Sequence, residues 1–163
     1  MEIAMSKANN TLNIWKRFES FPLGKWLFSR LICFKAPYFG SIRPRFLALR
    51  PEYCEVRITK RRAVLNHLGT VHAIAMCNMA EVAGGIMTEV TVPTTHRWIP
   101  KGMTVEYLKK ATTDLIAIAT PESGLDLSTP GEFRVKVVVR DKRQEPVFQA
   151  LITMWISPKK VSA

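Results

Sequence analysis

Asn66, His72 and Glu81 are the residues of this 163-residue chain whose types and spacing could do chemistry. The stretch Asn66-His67-Leu68-Gly69-Thr70-Val71-His72 opens an apolar run. From Val71 to Thr88 in that run, Glu81 is the only formally charged side chain. An ionised carboxylate taken out of water is costly or shifts its titration, so a lone acid in such a run implies a partner or a task. A carboxylate can act as a general base on water or as a nucleophile. A polar loop running into a helix can offer donors to a developing anion. Each residue also has a plainer use: Asn66 capping a turn, His72 satisfying a helix-end amide, Glu81 forming an interface ion pair or staying neutral as a buried acid.

The elements that must position these residues follow from periodicity. Phe46 to Leu49 and Cys54, Val56, Ile58 read as two strands joined at Arg50-Pro51-Glu52. After the Asn66 loop, a helix is expected from about Val71 to Val90, stopped near Pro93. It is apolar nearly all round, and such a helix is buried on most sides. Ala75, Ala80, Ala83, Gly84 and Gly85 allow close approach of another backbone or a ligand. Strands are expected over Met103 to Ala111 and Asp114 to Thr120, then a turn region over Pro121 to Gly131. The clearest alternation comes next: Phe133, Val135, Val137 and Val139 face one way, Arg134, Lys136 and Arg140 the other. Phe148 to Ile156 repeat it after a polar hairpin connection. Two strands, one long apolar helix and several antiparallel strands, without βαβ alternation, imply an α+β fold with the helix lying against one sheet.

Each helical residue turns by about 100°, so His72 and Glu81 fall on opposite sides of the expected helix. One chain cannot easily bring them together. Two such helices side by side in a dimer would set Glu81 of one subunit opposite Asn66, His72 and the helix start of the other.

The length suits one core. Residues from about Asn10 to Phe39 form a helical, aromatic-rich segment, broken at Pro22-Leu23-Gly24, so residues 1–39 read as an extension and residues 40–163 as the main domain. Its second helix, about Lys25 to Phe34, carries cations among large apolar residues. Packing on the core or on a partner subunit is preferred there to a membrane-surface helix, although peripheral membrane contact is kept as an alternative. The N-terminus has no secretory signal pattern, which points to a cytoplasmic protein. Cys33, Cys54 and Cys77 are scattered and read as buried, reduced thiols, with no metal site and no resident cofactor expected. The formal charge of +11 favours a polyanionic partner. Nucleic acid is the weakest of these, because no recognisable nucleic-acid-reading module is present.

Taken together, this order of elements resembles the hot-dog fold: a curved antiparallel sheet wrapped round one long helix. Within it the chain looks like the acyl-CoA thioesterases of the phenylacetate-pathway type and their uncharacterised bacterial relatives. That family has an Asn, a Gly three residues on, a His three beyond, and an acid nine after the His. Asn66, Gly69, His72 and Glu81 fall at those positions, and the resemblance covers about Gly40 to Pro158. It implies an acyl-CoA or acyl-carrier-bound substrate, with coenzyme A present only as part of it, and a site shared within a homodimer or homotetramer. Glu81 would be the base or nucleophile, Ala73 N–H would lie in the oxyanion hole, and Asn66 and His72 would orient the carbonyl or the water. Where the family usually has Gly-Gly after the His, this chain has Ala73-Ile74. Lys60, Arg61, Arg62, Lys109 and Lys110 are the candidates for gripping the coenzyme's phosphates. Two other readings stand beside hydrolysis. One is a hot-dog dehydratase using His67 and Glu81, whose Phe-Pro-Gly after the His is missing here. The other is a non-catalytic acyl-CoA or lipid binder.

Overall fold

The computed structural model describes residues 9–159. Two helices come first, α1 (Asn10–Glu19) and α2 (Gly24–Lys35), then β1 (Arg45–Arg50), β2 (Tyr53–Ile58), α3 (Ala73–Thr91), β3 (His96–Tyr107), β4 (Leu115–Pro121), β5 (Gly131–Arg140) and β6 (Pro146–Pro158). Short 3-10 turns at Pro37–Ser41 and Arg62–Val64 link them. The six strands form one antiparallel sheet in the order β1-β2-β4-β5-β6-β3.

The expected alternation organises the sheet. Phe133, Val135, Val137 and Val139 of β5 are buried while Arg134 and Lys136 are exposed. One face of the sheet therefore packs on α3, whose Met79, Ala80, Val82, Ala83 and Met87 have no solvent exposure. Gly84 sets how closely they pack: a Cβ there would sit 2.8 Å from Ile152 Cδ1. The long helix thus lies in the concave side of the sheet, as its composition required.

α1 and α2 join the same core. The rings of Trp15 and Phe28 meet edge-on at 5.1 Å, and those of Phe28 and Phe46 at 5.2 Å. Asn9 caps α1, its side chain accepting from Thr11 N–H and Leu12 N–H. Ser29 Oγ accepts from Phe46 N–H at 2.9 Å, and Lys25 Nζ donates to Leu47 O at 2.6 Å. The inner face of α2 is in this way fixed to β1. Its N-terminus passes so close to α1 that a Cβ at Gly24 would lie 1.7 Å from Phe18 O.

Two boundaries differ from expectation. α3 begins at Ala73 because His72 is its N-cap, and it runs to Thr91. β3 starts at His96 rather than Met103 and ends at Tyr107, before Lys109 and Lys110. It is an edge strand with most residues exposed, so it lacks one-sided alternation; Pro100 stays in register with Met154 of β6, and the register shifts between Pro100 and Gly102. A proline is tolerated there because an outer edge needs no N–H for a neighbouring strand. Of the three cysteines expected to be buried, only Cys54 is fully so, because Cys33 and Cys77 lie at the margins of their helices' inward faces. No helix among the described residues is long and apolar enough to cross a membrane.

Candidate active site

The loop before α3 is built by Asn66. Its Oδ1 accepts from Leu68 N–H (3.0 Å) and Thr70 N–H (3.1 Å), and its Nδ2 donates to Thr70 Oγ1 (2.8 Å). Gly69 takes φ +73°, a left-handed conformation that glycine enters without steric cost. Two backbone bonds then tie the helix start to its surroundings. Val71 N–H donates to Ala111 O at 2.8 Å, and His72 N–H to Val64 O at 2.8 Å. These bonds bring the Arg62–Val64 turn and the Lys109-Lys110 segment to the N-terminal end of α3.

At that end His72 is exposed, and its Nδ1 accepts from Ile74 N–H at 3.1 Å. Ala73 is the first helical residue, so its N–H has no acceptor within the helix. No other partner is found for it among the described residues. A groove of about 170 Å³ lies here, bordered by Tyr38, Ser41, Ala63, His72, Ile74 and Asn78. The positive end of the helix dipole and an uncommitted amide together suit a negatively charged oxygen.

Glu81 is exposed on the flank of α3, not buried. The run around it is apolar for two reasons. Most of its residues face the sheet, and those flanking Glu81 on the outward side are apolar as well. Ile74, two turns earlier, is 56 % exposed, and Cys77 between them is half-buried. No hydrogen bond or ion pair holds the Glu81 carboxylate among the described residues. It lies eight positions on from Ala73, about 12 Å along the helix axis. Within one chain the acid and the helix-start amide therefore do not meet.

The proposed phosphate-binding cations divide into two kinds. Arg61 Nη2 donates to Ser41 O at 2.6 Å, and Lys109 Nζ pairs with Glu145 Oε2 at 2.7 Å. Burial, and next the neighbouring Arg43, lower the Arg61 titration. Lys60 offers its backbone N–H to Asp114 Oδ1 at 2.9 Å, while Arg62 and Lys110 are exposed. Asp114 also pairs with Arg57 at 2.7 Å. That hydrogen bond first, and the one from Lys60 N–H second, hold its carboxyl below the usual carboxylate range.

Three groups near the flank escaped the sequence reading. Tyr107 Oη lies 3.4 Å from Cys77 Sγ, and this contact chiefly raises the phenol's pKa. Trp98 packs over Gly85, where a Cβ would come within 3.3 Å of its ring, and its Nε1–H donates to Glu89 Oε2 at 2.8 Å. Asn78 Nδ2 donates to Ser41 Oγ at 3.0 Å, holding the Pro37–Ser41 turn against α3. The four-residue step from Cys77 through Glu81 and Gly85 to Glu89 was a readable helical stripe. Its partners on β3 were not.

A helix lying in a curved antiparallel sheet, with an outward acid and an open N-terminus, defines an α+β domain of the hot-dog class. The protein-family model for a domain of unknown function (DUF4442) matches residues 24–156, and the chain belongs to that family. A crystal structure solved as a structural-genomics target is similar at 49% identity and a TM-score of 0.80, covering 91% of this chain and 98% of its own. A thioesterase from Haemophilus influenzae matches at 13% identity and a TM-score of 0.71, over 86% of this chain and 94% of its own. A Streptococcus mutans protein crystallised with acetyl-CoA matches at 18% identity and a TM-score of 0.62, over 72% and 91%. At such identities the latter two speak for the fold. No curated protein matches the chain.

Proposed function

We propose that the protein hydrolyses acyl-CoA thioesters at a site completed by two copies of the chain. One observation carries this reading. Glu81 stands unpaired on an outward flank of α3, while the free Ala73 amide, next to exposed Ile74, lies about 12 Å away along the same helix. An antiparallel pair of α3 helices would turn that separation into proximity, setting Glu81 of one copy against the helix start of the other. β3 has an unpaired outer edge, and its Ile99, Met103 and Tyr107 are exposed, which suits association of copies along this side. The neighbours described as a thioesterase and as an acetyl-CoA complex favour the same chemistry.

The reaction follows from the groups. Water held by the Glu81 carboxylate gives up a proton as its oxygen attacks the thioester carbonyl. The carbonyl oxygen gains charge, which the partner copy's Ala73 amide and helix dipole stabilise. Collapse expels the coenzyme thiolate, which takes up a proton. His72 Nδ1 is engaged by Ile74 N–H, so its free Nε2 is the atom available to the substrate. Asn66 acts by shaping the loop. Arg62 and Lys110, exposed at the same end, are the cations best placed for the coenzyme's phosphates.

The test is release of coenzyme A from acyl-CoAs of graded chain length. The wild type is expected to turn over at least one of them. Glu81→Gln is expected to lose at least about a hundredfold in kcat with an unchanged circular-dichroism spectrum. Absence of thiol release at every chain length refutes the hydrolase.

A further inference from the structure

The outer side of the α1–α2 hairpin is apolar, and nothing in the chain covers it among the described residues. α2 sorts its residues into two faces. Phe28, Ser29 and Ile32 point inward, while Trp26, Leu27, Leu31 and Phe34 point out. Phe34 is 84 % exposed and Leu23, at the hairpin tip beside exposed Phe21, is 71 % exposed. Of these, Leu27, Leu31 and Phe34 border an open groove together with Phe18, Arg30 and Cys33. Soluble surfaces seldom leave such a contiguous patch bare without a use.

Its charge identifies the occupant. Between residues 10 and 39 there are five cations, Lys16, Arg17, Lys25, Arg30 and Lys35, and one acid, Glu19. Lys25 is engaged with Leu47 O, but Lys16, Arg17, Arg30 and Lys35 are exposed. The Arg30 guanidinium lies 5.8 Å from the Trp26 ring centroid, so cation and aromatic stand side by side on the outer face. A second copy docking here through two-fold symmetry would set this cationic rim against itself, with only Glu19 to offset it. An anionic surface with an apolar interior complements both features. Long basic side chains can lay their stems along the apolar patch and reach headgroups, while Trp26 sits at the boundary.

We propose that the outer face of the α1–α2 hairpin docks the protein on anionic lipid bilayers, lying in the headgroup region without crossing. The inner face stays fixed to β1 through Ser29, Lys25 and Phe28, so docking needs no unfolding. The groove of Phe18, Leu27, Arg30, Leu31, Cys33 and Phe34 includes no residue of α3, and the proposal does not rest on hydrolysis.

The experiment is co-sedimentation of the full chain with phosphatidylcholine vesicles, with and without phosphatidylglycerol. Wild type is expected to bind the anionic vesicles at least about tenfold more tightly than the neutral ones. The double variant Trp26→Ser, Phe34→Ser is expected to lose about tenfold or more of that binding with an unchanged Tm, since both side chains are exposed. Arg30→Glu with Lys35→Glu is expected to abolish the preference for phosphatidylglycerol. The proposal is overturned if wild type stays in the supernatant at low salt, or if the serine variant binds as well as wild type. It is equally overturned if the serine variant changes only the number of chains per particle in light scattering, which would make this face a contact between copies.

Discussion

Ala73 occupies a position where its side chain and its amide can be separated experimentally. The first helical residue tolerates proline, and His72 before it already has φ −64° and ψ 140°, the extended geometry that a following proline requires. Ala73→Pro should therefore keep the helix while deleting the proposed oxyanion donor. It is expected to lower kcat by about 10²–10³-fold with an unchanged helical signal in circular dichroism. Asn66 is different, because its side chain is spent on three hydrogen bonds inside its own loop. Asn66→Ala should cost about 1–2 kcal/mol in urea unfolding, together with a loss of activity through the displaced helix start. The family resemblance singles out Asn66, Gly69, His72 and Glu81, and the plainer uses read for Asn66 and His72, shaping a turn and satisfying a helix-end amide, are the bonds the fold shows. Spacing could not reveal that Asn66 bonds to Leu68 and Thr70 in particular, nor that His72 takes the Ile74 amide and leaves that of Ala73. Those are choices of side-chain rotamer, which sequence spacing does not encode.

The elements were legible where one face is buried and one is wet. β5 and β6 announce themselves by strict alternation, and α3 by an apolar run too long for a strand. β3 begins several residues before the Met103 its sequence suggests, because an edge strand with exposed residues on both faces has no alternation to read. The α1–α2 hairpin depends on a close approach that composition hints at only through Gly24. Gly24→Ala would drive a Cβ into Phe18 O and should destabilise by about 1–3 kcal/mol, seen as a Tm drop of several degrees. Asp114 links β2 to the segment entering β4 through Arg57 and Lys60 N–H. Its native carboxyl titrates below its unfolded value of about 3.9, so the stabilisation is full above that pH and is lost as pH falls through the depressed native value. Asp114→Asn should thus melt below wild type at pH 7. The gap should close as the pH is taken well below 4, read by thermal melts across an acid series.

At the scale of the molecule, two surfaces of one chain stand unsatisfied for different reasons. The α3 flank with its neighbour β3 carries an acid among exposed apolar groups, and the α1–α2 face carries cations among exposed aromatic ones. The charge of +11 suggested polyanions without saying where they bind. Besides cations elsewhere, such as Arg134 and Lys136 on the outer face of β5, the fold places exposed Arg62 and Lys110 near the N-terminal end of α3 and Lys16, Arg17, Arg30 and Lys35 on the hairpin. The turn of about 100° per residue suggests that His72 and Glu81 oppose each other on one helix. The fold makes His72 the N-cap, and the separation of about 12 Å between Ala73 and Glu81 along α3 is why the proposed site needs two chains. Complementation tests that claim most directly. Glu81→Gln and Ala73→Pro chains, each inactive alone, are mixed under conditions that exchange subunits, and coenzyme A release is measured. A shared site leaves one intact site in every mixed dimer, so random pairing should restore about a quarter of wild-type activity. Mixed dimers that form yet regain no activity would contradict it.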